Sequence, residues 1–107
     1  MHQFDIKNLP LSGAKIIQKK KYEDERGYLS RLFCIDELNK EQKFKAIKQI
    51  NTTLTKKKST IRGLHYQIPP FAETKMVTCL KGIIFDVIVD LRKNSTTFLK
   101  IHSEILS

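Results

Sequence analysis

Short apolar runs separated by turn residues dominate the chain, and several alternate apolar with polar positions at the two-residue period of a β-strand. Segments 14–20, 28–34, 46–52, 60–66, 75–80, 83–91 and 98–106 are rich in Ile, Val, Thr and aromatic residues and are predicted as strands. Gly27, Asn51, Pro69-Pro70, Lys81-Gly82 and Asn94-Ser95 mark the breaks between them. Lys81-Gly82 sits between two apolar runs and predicts a tight hairpin. The one helical pattern covers 36–43, with Asp36 as N-cap and Glu37 suited to the first turn. Seven short strands and one short helix predict an all-β fold, a jelly roll or a partial β-barrel or sandwich. With no internal repeat, low-complexity segment or linker, one domain over residues 1–107 is expected.

Composition narrows this picture without redirecting it. A chain of 107 residues supports a single core of modest size, and a partner subunit would add burial. The hydrophobic fraction of 40% argues for a folded protein rather than a disordered one. No apolar run reaches the length that spans a bilayer, and Met1-His2-Gln3-Phe4-Asp5 lacks the basic start and apolar centre of a secretory signal, so a cytoplasmic protein is expected. Cys34 and Cys79 have no metal spacing and are read as reduced residues in or near the core. The net charge of +9 resides largely in lysines, including Lys19-Lys20-Lys21 and Lys56-Lys57-Lys58, which are expected as solvated faces. No zinc-finger spacing, basic heptad region or aromatic-basic RNA signature accompanies that charge, so no nucleic-acid partner is expected.

The candidate chemistry lies in Ile61-Arg62-Gly63-Leu64-His65-Tyr66-Gln67, in Lys75 and in 85–92. An imidazole with an unperturbed pKa of about 6.5 can take up a proton near neutral pH. A lone strand histidine also has a plain structural reading, as a residue with one satisfied hydrogen bond. Strict alternation would put Arg62 and His65 on opposite faces, and a bend at Gly63 would bring both toward one cavity. Lys75 is either an ordinary strand-end lysine or an ammonium placed to stabilise an enolate oxygen. Asp86, Asp90 and Arg92 share a face with Ile84 and Ile88, as paired inward charges or as an exposed stripe. They receive no catalytic role.

Metal chemistry lacks ligands. Gln67 stands where a second histidine would complete a His-x-His pair, leaving His65 and the distant Glu73, whereas a catalytic zinc or iron site needs about three protein ligands. His2 and His102, near the two ends, have no supporting ligands in the sequence.

Asp24-Glu25-Arg26-Gly27-Tyr28, Gln49-Ile50-Asn51, 61–67, Lys75-Met76-Val77 and 82–92 with Ser95-Thr96-Thr97-Phe98 together resemble the dTDP-4-dehydrorhamnose 3,5-epimerase family of the cupin superfamily. The resemblance is colinear from about Asp24 onward. It implies a cupin-like jelly-roll homodimer that inverts C3 and C5 of dTDP-4-dehydro-6-deoxyglucose on the route to dTDP-rhamnose, without metal or organic cofactor. By the same resemblance His65 corresponds to the base that removes the protons beside the C4 ketone, and Lys75 to the group that stabilises the enolate. Arg26, Gln49, Asn51 and Arg62 correspond to substrate-binding positions, the arginines suited to a pyrophosphate through forked hydrogen bonds.

Two departures accompany the resemblance. Arg31 stands where many members carry glutamate. Family members also run well beyond the position matching Ser107, through a part that would hold the general-acid tyrosine, the carboxylate partner of the base, a second histidine and the later strands. Tyr22, Tyr28 and Tyr66 occupy no matching position, so the expectation is a shortened epimerase with impaired turnover. The alternative is a non-catalytic jelly roll that binds a nucleotide sugar or pairs with another subunit.

Overall fold

The computed structural model describes residues 3–42 and 46–107. β1 (Phe4–Asn8) pairs antiparallel with β2 (Lys15–Lys19), Phe4 opposite Lys19 and Asn8 opposite Lys15. The chain reverses between them through Leu9 N–H to Ala14 O at 2.9 Å, with Gly13 at φ 81°, a conformation that favours glycine. β3 (Lys21–Asp24) and β4 (Gly27–Ser30) form a second hairpin about the two-residue turn Glu25-Arg26. Across it, the Lys21 ammonium lies 4.6 Å from the centre of the Tyr28 ring.

Helix α1 (Ile35–Gln42) follows, with Asp36 and Glu37 in its first turn, where the unpaired amides favour negative charge. The Gln3 amide donates to Glu37 Oε1 at 2.7 Å and ties the helix to the chain entering β1. The third pair is β5 (Ile84–Val89) with β6 (Ile101–Leu106), Ile84 opposite Leu106 and Val89 opposite Ile101. Among the described residues the strands form three sheets of two strands each. Phe4, Leu11 and Leu38 are the buried apolar side chains among the described residues, so the core gathers contributions from β1, the β1–β2 turn and α1.

The all-β expectation with one short helix holds, while several boundaries and pairings move. Segments 46–52, 60–66 and 75–80 have strand composition but join no ladder, because no neighbouring strand accepts their backbone groups. The predicted Lys81-Gly82 hairpin therefore does not form; the chain bends there, with Gly82 at φ 87°. Segment 28–34 pairs only as far as Ser30. β6 begins at Ile101 rather than at 98 because Leu99 takes φ 64° and its amide turns to Asp90 O at 2.7 Å. The helix starts at Ile35, with Leu38 N–H bonded to Cys34 O at 3.0 Å, so Asp36 lies inside the first turn instead of capping it. Lys43, where that helix was predicted to end, lies outside the described residues, as does His2. Cys34 and Cys79 are free thiols of intermediate burial, as expected.

Candidate active site

Between Thr55 and Arg62 the chain passes through a turn in which Thr60 Oγ1 donates to Lys57 O at 2.7 Å and Ser59 takes φ 67°. Arg62 spans this turn, its Nε donating to Thr55 Oγ1 at 3.1 Å and its Nη2 to Leu54 O at 3.3 Å. These contacts tie Arg62 to residues 54 and 55, a few positions beyond Gln49 and Asn51, and the side chains of Gln49, Asn51, Arg62 and His65 are all exposed. Gly63 takes φ 103°, a backbone conformation that favours glycine, but the expected bend is not found there, and the nearby depression is lined by neither Arg62 nor His65. A Cβ at Gly63 would lie 3.4 Å from His65 Nδ1, which makes the glycine a close neighbour of the imidazole.

Lys75 is exposed and forms an ion pair with Glu73, Nζ to Oε1 at 3.2 Å. The segment that carries it is fastened to β2, where Lys19 Nζ donates to Thr78 Oγ1 at 3.3 Å. Partial burial pushes the Lys19 ammonium below its ordinary pKa. Arg26 occupies the β3–β4 turn, with Nη2 2.6 Å from Asp24 Oδ2 and its amide 2.8 Å from Asp24 Oδ1. The guanidinium and backbone amides around Asp24 hold its carboxyl below the usual carboxylate range.

A cluster around Asp90 is the most ordered polar arrangement, and sequence reasoning left it undecided. The Asp90 side chain is 1% exposed and accepts hydrogen bonds from Arg92 Nε at 2.9 Å and Arg92 Nη2 at 3.0 Å. Ser95 Oγ and Thr97 Oγ1 donate to its Oδ2 at 2.5 and 2.6 Å. Arg92 first, then the two hydroxyls, hold this carboxyl well below the usual range. The cluster also reaches the first hairpin: Arg92 Nη2 donates to Ser12 O, and the Ser12 amide donates to Thr97 Oγ1 at 3.1 Å. Asp90 is therefore an inward charge, paired with an Arg92 whose side chain stays 60% exposed, and the signal for the buried carboxylate was the hydroxyl pair Ser95 and Thr97 just downstream. The Glu73 and Lys19 contacts had no such signal, since each depends on the path of the loops.

Among the described residues, no hydrogen bond or ion pair joins any two of Arg26, Gln49, Asn51, Arg62, His65 and Lys75. Arg62 is anchored to Leu54 and Thr55, while Arg26 and Lys75 stand on other parts of the chain with carboxylate partners of their own. A shallow depression of about 390 Å³ is lined by Tyr66, Gln67, Ile68 and Phe71, directly after His65 in the chain. No group of three or more His, Cys, Asp or Glu side chains among the described residues is arranged to hold a metal ion. No helix among them is long and apolar enough to cross a membrane.

Three comparisons place this arrangement among known proteins. The dTDP-4-dehydrorhamnose 3,5-epimerase family profile matches residues 8–107, which include all six of these positions. The chain is 39% identical over 102 residues to the enzyme of that name from Sinorhizobium fredii, covering 95% of this chain and 52% of the relative. It is 39% identical over 101 residues to that from Methanothermobacter thermautotrophicus, covering 92% of this chain and 52% of the relative. The crystal structure of dTDP-4-dehydrorhamnose 3,5-epimerase from Elizabethkingia anophelis superposes with a TM-score of 0.77 at 34% identity, over 99% of this chain and 58% of that one. The fold is thus the cupin-like fold of that enzyme, and the chain spans about half the length of the curated relatives it matches. By sequence and by structure, the chain belongs to the dTDP-4-dehydrorhamnose 3,5-epimerase family.

Proposed function

We propose that residues 1–107 form one epimerase-like unit that acts on a nucleotide-linked 4-keto sugar, dTDP-4-dehydro-6-deoxyglucose, in the cytoplasm. The observation that carries this reading is the family match over residues 8–107, which takes in every candidate site residue. His65 removes the proton from a carbon beside the C4 ketone; the electron pair of that C–H bond moves onto the C4 oxygen, and Lys75 stabilises the resulting enolate. Return of a proton to the opposite face inverts the centre. Only C3 and C5 flank C4, so one base and one oxyanion partner can serve both inversions.

Arg26 and Arg62 are the pyrophosphate-binding groups in this reading, with Gln49 and Asn51 hydrogen-bonding the rest of the substrate. Their exposure leaves them open to a ligand, and the Arg62 anchor to Leu54 and Thr55 fixes where one guanidinium stands. The same reading includes a homodimer, no nucleic-acid partner and no membrane attachment. No general acid is assigned within these residues. Deuterium uptake does not require one, because the proton taken up by His65 can exchange with solvent before a deuteron returns from His65 to the same face of the carbon.

Incubation of the chain with the keto sugar in deuterated water tests the proposal. The expected result is deuterium uptake at C3, C5 or both, read by mass spectrometry. Tight binding of the sugar nucleotide with no uptake would instead make the chain a binding module.

A further inference from the structure

Lys75 carries the charge proposed to meet the enolate, and its side chain reaches that task from a flexible stem. An arginine guanidinium is a planar fork that one or two contacts orient, whereas a lysine ammonium is a point charge at the end of four rotatable carbons. Arg62 is oriented by Thr55 Oγ1 and Leu54 O, and Arg26 by the Asp24 carboxylate. For Lys75 the described residues supply one ion-pair partner, Glu73, with Nζ 3.2 Å from Oε1. Glu73 lies two positions upstream with no turn between them. Asp24 and Glu73 do different work. Asp24 also accepts the Arg26 amide at 2.8 Å and so builds the β3–β4 turn, while among the described residues the Glu73 carboxylate meets the Lys75 ammonium and no backbone amide. The whole recorded contact of Glu73 is thus with a candidate site cation.

We propose that Glu73 is a positioning residue for Lys75, a carboxylate that holds the ammonium in place for the charge that develops on the C4 oxygen and takes no proton itself. The inference rests on the reading of Lys75 given above. An ammonium has three N–H donors and no acceptor, so with one directed at Glu73 two remain for the sugar. The strength of the pair permits this division. The Lys75 and Glu73 side chains are 54% and 43% exposed, and an exposed pair shifts an equilibrium by at most about fivefold. Glu73 therefore orients Lys75 without withholding its charge when the enolate forms. The C4 oxygen carries little negative charge before a proton leaves C3 or C5 and much more afterwards, so a donor set in advance contributes to turnover rather than to sugar binding. Without the carboxylate the lysine stem is free, and its ordering is added to the cost of every turnover.

Deuterium uptake and lysine dynamics test this together. Uptake from solvent into dTDP-4-dehydro-6-deoxyglucose is measured over a range of sugar concentrations for the parent chain, Glu73→Ala, Lys75→Met and the double variant. The expected result for Glu73→Ala is a maximal rate lower by about fivefold with the half-saturating sugar concentration unchanged. Lys75→Met loses more, and adding Glu73→Ala to it costs nothing further, because the two residues act as a unit. Glu73→Ala at the parent rate, or a loss that persists in the Lys75→Met background, overturns the inference and leaves the role of Lys75 standing. Lys75→Met at the parent rate overturns both. Carbon-13 relaxation of the lysine Cε groups needs no turnover: Lys75 in the ligand-free parent chain is expected to be more ordered than in Glu73→Ala, and equal order in the two overturns the inference.

Discussion

Thr97→Val removes one hydroxyl and keeps the branched shape, which isolates the polar contribution of the Asp90 cluster. That hydroxyl donates to the buried carboxylate at 2.6 Å and receives the Ser12 amide at 3.1 Å, so it links the β1–β2 turn to the end of β5. A hydrogen bond to a charged group contributes about 1.5–3 kcal/mol. The Ser12 amide is at an exposed position and can turn to water, while Arg92 and Ser95 still hold Asp90. The lower half of the range therefore applies, a loss of about 2 kcal/mol. With a urea dependence of about 1–3 kcal/mol per molar, the unfolding midpoint falls by roughly 1 M. Circular dichroism in urea measures it, and Thr97→Ser, which keeps the hydroxyl, serves as the control. A valine variant that unfolds within about 0.2 M of the parent chain would refute the reasoning, since that is a small fraction of the expected shift.

Three further outcomes follow from the same structure. The Asp90 carboxyl has a folded-state pKa below its unfolded value of about 3.9, so the stability it contributes is fully present above about pH 4 and is lost as pH falls toward the folded value. Asp90→Asn should flatten that acid limb in urea midpoints taken between about pH 6 and about pH 2, and an unchanged limb would count against the assignment. Gly63→Ala forces a Cβ into φ 103° and to 3.4 Å from His65 Nδ1, so it should destabilise by about 1–3 kcal/mol and shift the His65 ring resonances in NMR spectra. Leu38→Ala empties the position of a fully buried side chain in α1 and should cost about 2–5 kcal/mol in thermal or urea unfolding; a cost below about 1 kcal/mol would show that Leu38 is not in the core.

Local pattern was a good guide wherever a segment finds its partner nearby in the structure. β2, β5 and β6 fall inside the predicted segments, and the helix is displaced by a single residue at its start. β1 and β3 were missed because Phe-Asp-Ile-Lys-Asn and Lys-Tyr-Glu-Asp are too polar to stand out, and each becomes a strand by pairing with the element next to it. The opposite error occurs at 46–52, 60–66 and 75–80, where composition favours a strand but a ladder also needs a second strand in register. At the site, the positive φ of Gly63 was legible as unusual backbone at a glycine between bulky neighbours, while the bend that would join Arg62 and His65 in one cavity was not found. The Asp90 pairing was half legible from Arg92, Ser95 and Thr97. Glu73 beside Lys75, and Lys19 on Thr78, were not legible, because loop paths rather than periodicity bring those atoms together.

The role proposed for His65, as the base, is open to chemical rescue. The measurement is the rate of deuterium uptake from solvent into the keto sugar by the parent chain and by His65→Ala, with and without added imidazole. A positioned general base contributes about 10²–10⁴ in rate, so the variant should lose that factor and regain part of it in proportion to imidazole concentration. Uptake by His65→Ala at the rate of the parent chain would show that His65 is not the base.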